Sequence, residues 1–303
     1  MRTTGTGDRK KNTIKIISTV LIGIILLVGG VFVFNLRNSG RNADISPGAG
    51  TAEVHFIDVG QGECALIRTD TENILIDSGE YEQYGTVSRY LNSLGVRYLD
   101  HIVVSHPHTD HMGCMYRIAE KYGAGDIIMP DMKEHTDDTP QYRRLTGTAE
   151  DLGIPIMYAE AGTVIEAGTD CRLEILSPVG EYEDVNDWSV TVRFVCADVK
   201  FLFTGDIGRE AEQDILASGQ DISADVLKVP HHGSGTSSGR TFVQAVSPHY
   251  AVFSVGTAND YGHPHSNIVE LYRRLGAQIL RTDMNGNIVF NTDGNSVTLI
   301  TDR

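Results

Sequence analysis

The alternation of apolar and polar positions divides the chain into one long uncharged run near the N-terminus and a series of short periodic segments after it. No charged side chain occurs from Ile16 to Phe34, and a helix of that length crosses roughly 30 Å of hydrocarbon. Residues 36–50, reading LRNSGRNADISPGAG, are polar and contain Gly, Ser and Pro, as suits a flexible tether. Strand-length apolar runs follow at 52–58, 64–69 and 73–77, with the GQG turn from Gly60 to Gly62 between the first two. Helical spacing predicts helices over 86–94, 114–122 and 141–152, with strands at 127–129, 156–158 and 172–176 between or after them. A hairpin over 188–195 and 199–204 and a strand at 224–229 come next. Strands at 250–255, 278–281, 287–290 and 296–300, with helices near 241–246 and 267–275, complete the pattern. Such interleaving predicts an α/β protein in which two sheets are faced by helices.

Length and charge narrow this picture. A chain of 303 residues with 41% hydrophobic content can fill the core of one domain of about 250 residues. We therefore expect a basic cytoplasmic segment at 1–15, a transmembrane anchor at 16–35, a linker at 36–50 and a single globular domain at 51–303. Arg2, Arg9, Lys10, Lys11 and Lys15 precede the apolar run and place that flank on the cytoplasmic side, so the domain is expected outside the cell membrane as part of a single-pass protein. A cleaved signal peptide is the alternative, but the run exceeds a usual h-region and no small-x-small site follows it. The net charge of -15 argues against coating duplex DNA by bulk electrostatics.

The densest chemistry lies at Ser105 to Gly113, SHPHTDHMG, directly after the apolar run Ile102-Val103-Val104. His106, His108, Asp110 and His111 place three imidazoles and a carboxylate within six residues. An extended His-x-His puts two rings on one side, and the turn at Asp110-His111 can offer a second pair, so the loop suits two metal ions. The GQG turn is no dinucleotide fingerprint, because a strand and not a phosphate-binding helix follows it.

HxHxDH after an apolar strand resembles the signature of the metallo-β-lactamase fold superfamily. Within it, VHFIDVGQGE (from Val54), ILIDSG (from Ile74), FLFTGD (from Phe201), LKVPHHGS (from Leu227) and YGHPH (from Tyr261) resemble, in order and spacing, the C-terminal metallohydrolase domain of the ComEC/Rec2 competence family. The resemblance implies an αββα four-layer sandwich of two mixed sheets flanked by helices. It also implies two divalent ions, Zn or Mn by availability: one on His106 and His108, the other on Asp110, His111 and His232, with Asp206 bridging. Asp77 would brace the metal loop. Many members place another histidine before the bridging aspartate; here only His135 intervenes, too early, and NDWS at 186–189 occupies the corresponding region, so the first site is expected to be weak.

By the same resemblance the activity is that of a phosphodiesterase or nuclease on DNA, with the DNA-uptake machinery as partner. The family's multi-span channel portion is not in this sequence. Hydrolysis of carboxylic esters, lactones or β-lactams, or a non-catalytic metal-binding module, are the alternatives. The RNA-processing nucleases of the superfamily that carry a large inserted domain are disfavoured by the short separation of Asp206 from His232.

Three further groups bear on catalysis. His231 and His232 are adjacent, and the sequence leaves open which is the ligand and which contacts substrate. Ser234, Gly235 and Thr236, in GSGTSS, can offer N–H and hydroxyl groups to a phosphate, or form an ordinary surface turn. His263 and His265 flank Pro264; one could protonate a leaving oxygen, as Asp110 could orient the attacking water, while two solvated imidazoles in a proline turn is the competing reading. Finally, the antiparallel register that sets Ser177 opposite Val190 sets Cys171 opposite Cys196, predicting a disulfide in an oxidising compartment. Cys64 and Cys114 are candidates for a second bridge.

Overall fold

The computed structural model describes residues 46–132 and 139–303. The basic segment, the apolar run and most of the tether lie outside the described residues, as does His135. Among the described residues no helix is long and apolar enough to cross a membrane. Residues 45–303 form one compact unit.

Its strands are β1 (Ala52–Phe56), β2 (Ala65–Arg68), β3 (Asn73–Ile76), β4 (Leu99–Val103), β5 (Ala124–Met129), β6 (Ile156–Tyr158), β7 (Val164–Glu166) and β8 (Cys171–Ser177) in the first part of the chain. The remainder are β9 (Thr191–Cys196), β10 (Val199–Phe203), β11 (Val226–Lys228), β12 (Tyr250–Phe253), β13 (Gln278–Arg281), β14 (Ile288–Thr292) and β15 (Val297–Thr301). The helices are α1 (Tyr84–Ser93), α2 (Thr109–Met112), α3 (Met115–Tyr122), α4 (Pro140–Leu152), α5 (Arg209–Ala217), α6 (Arg240–Val246), α7 (Ser266–Arg274) and α8 (Thr282–Asn285). One sheet has the order β15-β14-β1-β2-β3-β4-β5-β6 and the other β13-β12-β11-β10-β9-β8-β7. Both are mixed, as expected.

Three apolar layers make this a four-layer sandwich. Phe56, Ile74, Ile76 and Phe290 of the first sheet meet Phe194, Phe201 and Phe203 of the second between the sheets; the Phe56 and Phe203 ring centroids lie 5.6 Å apart. Leu66, Leu75 and Ile102 point the opposite way, under Val87 and Leu91 of α1 and Ile118 of α3. Leu202, Leu227 and Ala251 do the same beneath Ile215, Phe242 and Tyr272 of α5, α6 and α7. Strands covered on both faces need apolar residues at every position, which is why ILI and FLF read as continuous runs without alternation.

Three details depart from the sequence reading. β8 and β9 pair Cys171 with Cys196, and the two form a disulfide with Cα atoms 4.1 Å apart. A bulge between Ile175 and Ser177 then sets Ser177 opposite Thr191 in place of Val190. Cys64 and Cys114 remain buried free thiols, so the second bridge is not formed; the Cys114 thiol donates to the Ser78 carbonyl at 3.2 Å. Helix α5 was not foreseen. Its N-cap is Gly208, and the first turn is capped from a distance by Asp187, whose carboxylate accepts from the Gly208 and Ala211 N–H groups at 2.5 and 3.4 Å. No local capping residue marks the start of that helix.

Candidate metal centre

Four strands deliver the site from their carboxyl ends. Parallel β3, β4 and β5 set the first sheet's contribution, and parallel β10, β11 and β12 set the second's. The loop after β4 carries His106, His108 and α2. Thr204-Gly205-Asp206 follows β10, His231 and His232 follow β11, and 261–265 lies beyond β12. Ligands gather outside strand carboxyl ends because several loops start there side by side.

The close approach of these loops requires glycine. Gly62, at φ +137°, lies so near the metal loop that a Cβ there would meet the Asp110 carbonyl at 2.4 Å. A Cβ on Gly205, at φ +50°, would stand 2.7 Å from the Ser105 Cβ. Three non-glycine residues of the site, Asp77, His231 and His232, also have positive φ of 54°, 50° and 53°. Each such residue costs on the order of 1 kcal/mol or more, and such strain gathers where geometry serves a site.

Asp77 braces the metal loop. Its carboxylate accepts from the Ser105 N–H at 2.8 Å and hydroxyl at 2.6 Å, and it lies 2.8 Å from His111 Nδ1. His111 Nε2 then faces Asp206 Oδ1 at 3.3 Å, Asp110 Oδ2 at 3.8 Å and His232 Nε2 at 3.3 Å. His232 Nε2 lies 3.3 Å from Asp110 Oδ2 and 3.4 Å from Asp206 Oδ2. Asp110, His111, Asp206 and His232 therefore offer ligand atoms all within 4.8 Å of one another.

The donor set fits a cation. His232 Nδ1 lies 2.7 Å from the Ser254 carbonyl, which can only accept, so Nδ1 carries a proton and Nε2 is the nitrogen turned into the cage, where its lone pair can bind a cation in place of a second proton. Asp206 Oδ1 is buried and receives no hydrogen bond of good geometry. Burial opposes charging His111, yet the carboxylates of Asp206, Asp110 and Asp77 outweigh it and hold the imidazole well above its ordinary pKa. His232 is likewise pushed up to about 9, against burial, by Asp206 and Asp110. Asp206 is held well below the usual carboxylate range, again against burial, by His232 and His111.

The remaining candidates fall outside this cage. His106 Nε2 and His108 Nδ1 face each other at 3.0 Å as a separate pair. His106 Nδ1 lies 3.0 Å from the Ser105 hydroxyl and 3.3 Å from that of Ser189. Burial, then the neighbouring His111 charge, holds His106 well below its ordinary value, leaving it neutral. Ser189, from the NDWS segment, also accepts from the Asp206 N–H at 3.0 Å, a support the sequence did not reveal.

His231 is on the pocket wall, with Nε2 3.8 Å from Asp206 Oδ2, so the structure places His232 and not His231 in the cage. The pocket, of about 330 Å³, is also walled by Gln61, Thr109, Thr139, Tyr261 and His263. Ser234, Gly235 and Thr236 do not line it. Their polar groups are engaged locally: Gly235 N–H donates to His265 Nδ1 at 2.8 Å, Thr236 Oγ1 lies 3.2 Å from His231 Nδ1, and the Ser234 and Thr236 hydroxyls meet at 3.0 Å. The loop orients histidines where a phosphate nest was expected. His265 is likewise off the pocket lining, its Nδ1 spent on Gly235.

A buried ion pair completes the support and was not foreseen. The Glu63 carboxylate and the Lys228 ammonium are fully enclosed and in contact. Glu63 N–H donates to the Asp110 carbonyl at 3.0 Å, and Lys228 Nζ donates to the Val229 carbonyl at 3.1 Å. The pair thus joins the loop behind Asp110 to the strand that delivers His232.

Comparison with known proteins agrees with this geometry. The family model of the metallo-beta-lactamase superfamily matches residues 57–257. The chain is 28% identical over 257 residues to ComE operon protein 3 of Bacillus subtilis, covering 78% of this chain and 33% of that protein. It is 34% identical over 249 residues to competence protein ComA of Neisseria gonorrhoeae, covering 79% of this chain and 32% of that protein. The chain thus spans about a third of the length of these relatives. Among solved structures, Igni18, a metallo hydrolase from Ignicoccus hospitalis, superposes with a TM-score of 0.53 at 16% identity, over 78% of this chain and 98% of that one. The four-layer sandwich, the histidine and aspartate cage and the matched family model together make this chain a member of the metallo-beta-lactamase superfamily, related to the ComEC/Rec2 competence proteins.

Proposed function

We propose that this metal-dependent hydrolase is a phosphodiesterase that cleaves DNA outside the cell membrane, tethered by its N-terminal apolar run, and that it works beside a DNA-uptake machinery. The observation that carries the reading is the cage of Asp110, His111, Asp206 and His232 at the floor of an open pocket, in a chain related to competence proteins along most of its length.

In this reading Asp110, His111, Asp206 and His232 would hold one divalent ion, and His106 and His108 would supply a second, weaker site. A divalent ion, Zn or Mn, polarises a phosphoryl oxygen and lowers the pKa of water when bound. The chain's own groups do the rest. Ser254 and Asp77 fix the tautomers of His232 and His111, so both rings point Nε2 inward with no reorganisation. Asp110, mostly buried but reaching the pocket lining, can orient the attacking water. His231 and His263, on the pocket wall, would meet the phosphate oxygens of a bound phosphodiester.

Burial, then the neighbouring His232, His231 and His265, lowers His263 to about 4. It is therefore a neutral N–H donor near pH 7, not an imidazolium. A neutral ring can hydrogen bond a phosphoryl or leaving oxygen without adding charge beside the metals.

The test is a substrate screen on the purified protein after its metals are quantified by mass spectrometry. Bis-aryl phosphates and single-stranded DNA, each with Zn and with Mn, are set against carboxylic esters, lactones and β-lactams. Good turnover of lactones or β-lactams with no phosphodiester cleavage under either metal refutes the reading.

A further inference from the structure

Beside the metal loop, on the helical face of the first sheet, three tyrosines and two arginines form a contiguous row. The Arg117 guanidinium lies 3.7 Å from the Tyr84 ring centroid and 5.4 Å from that of Tyr81. The Tyr81 and Tyr116 rings are near-parallel, 20° apart in plane and 6.4 Å between centroids. The Arg144 guanidinium closes the row 5.5 Å from the Tyr116 ring. Tyr84 starts α1, Tyr116 and Arg117 belong to α3, and Arg144 belongs to α4, so the row spans three helices.

The row is continuous with the pocket. Glu80, which precedes Tyr81, hydrogen bonds to Thr109 on the pocket wall. Gly113, at the end of α2, packs so closely that a Cβ there would meet the Tyr81 N atom at 2.5 Å. Thr139, also on the pocket wall, N-caps α4 and donates to the Pro107 carbonyl at 3.3 Å. Tyr81 is 42% exposed, and among the described residues only it and Tyr261 are aromatics with large exposed surface. Tyr261 lines the pocket itself, whereas Tyr81 lies beyond its rim.

Tyr84 and Tyr116 pack partly against the helical-layer core, but Tyr81 is exposed, and an exposed cation–π contact stabilises by only about 0.5–1 kcal/mol, which is little reason to leave that ring in water. Stacking a base on such a face contributes roughly 1–3 kcal/mol, and the guanidinium groups attract the phosphates between bases. A chain of net charge -15 does not hold a polyanion by its overall field, so a strand needs a local foothold. Bases inside a duplex are already stacked and offer no face to tyrosine.

We propose that Tyr84, Arg117, Tyr81, Tyr116 and Arg144 form a stacking platform for single-stranded nucleic acid, which positions its phosphodiesters over the metal pocket. This rests on the phosphodiesterase reading above. The platform holds substrate and takes no part in the chemical step.

The experiment uses the full chain and compares Tyr81→Ala/Tyr116→Ala with Tyr81→Phe/Tyr116→Phe and with Arg117→Gln. Binding of a labelled single-stranded oligonucleotide is followed by fluorescence anisotropy in EDTA, where no cleavage occurs; turnover of the oligonucleotide and of a bis-aryl phosphate is then measured with metal. The alanine pair should weaken single-strand binding roughly 30-fold, or about 1 kcal/mol for each of two lost stacks, and raise KM for the oligonucleotide similarly. The phenylalanine pair should restore both, Arg117→Gln should flatten the salt dependence of binding, and bis-aryl phosphate turnover should stay unchanged throughout. Equal single-strand affinity in the alanine and phenylalanine pairs, or an equal loss for duplex and single strand, overturns the platform. Failure of the wild type to cleave any phosphodiester overturns the underlying activity instead, and the EDTA binding comparison still decides the platform.

Discussion

Replacing Lys228 by Met in the buried Glu63–Lys228 pair should destabilise the protein more than any single change among the metal ligands. Both groups are enclosed, so neither can turn to water when its partner is removed. Breaking such a pair costs about 3–5 kcal/mol, because the charge left behind keeps its desolvation penalty and loses the attraction that offset it. A folded unit of this size shifts by about 2–4 °C per kcal/mol, so the melting temperature should fall by roughly 6 to 20 °C. Glu63→Gln should cost a similar amount, whereas Glu63→Gln/Lys228→Met should recover much of the loss. The melts are followed by circular dichroism in EDTA, so that altered metal binding does not enter.

The pH dependence gives an internal check. Burial raises the Glu63 carboxyl above its ordinary value, and the Lys228 ammonium offsets part of that rise. In Lys228→Met the offset is gone. A carboxyl whose folded pKa exceeds its unfolded value holds its proton more tightly in the native state. It therefore costs stability as pH rises through the interval between the two values, and costs nothing below the unfolded value of about 4.3. The deficit of Lys228→Met should shrink as pH falls from about 8 to about 5. A single variant that melts within about 2 °C of wild type, or a double variant whose loss is the sum of the singles, refutes a coupled buried pair.

Asp206→Ala and His108→Ala should each remove most hydrolytic activity while leaving the far-ultraviolet spectrum intact, and Asp206→Ala should lower the bound metal measured by mass spectrometry. His263→Ala should slow bis-aryl phosphate turnover roughly 100-fold without loss of metal, and an unchanged rate would remove His263 from the site. Thiol titration of the denatured, unreduced protein should find two reactive cysteines, Cys64 and Cys114, and reduction should raise the count to four. Glu212 is pushed up to about 7 by burial, against hydrogen bonds from the Gly239 and Ser238 N–H groups. Its contribution should fall by roughly 3 kcal/mol as pH rises from about 4.5 to 7, and Glu212→Gln should flatten that slope in thermal melts.

The sheets were legible because strands covered on both faces must be apolar at every position, and ILI, IVV and FLF stand out from the loops between them. Of the cage, Asp110 and His111 were marked by the compact HxHxDH, whereas Asp206 and His232, distant in sequence, were pointed to by the family resemblance. The disulfide followed from one assumed pairing, which held at Cys171 and Cys196 and failed only beyond the bulge at Ile175. Helix α5 was hidden because its cap, Asp187, comes from a different segment. Glu63 and Lys228 were hidden for a related reason. Each sits in an unremarkable local pattern, and only the meeting of the two sheets makes a charged pair of them.

The same distinction bears on GSGTSS. A run of Gly, Ser and Thr advertises free donors, but whether they stay free depends on what packs against the run. Here His231, His265 and Glu212 take them up: Thr236 steadies one imidazole, Gly235 another, and the Glu212 carboxylate accepts from the N–H groups of Ser238 and Gly239 at 2.5 and 2.7 Å. The consequence is mechanical. The loop ties the histidine pair after β11, held in the left-handed region at both His231 and His232, to the segment after β12 that carries His263. Strain at two consecutive residues persists only where neighbours over-determine the backbone, and these bonds, with the Ser254 carbonyl on His232, are the neighbours that do so. These bonds hold the imidazoles after β11 and β12 in fixed relation to one another.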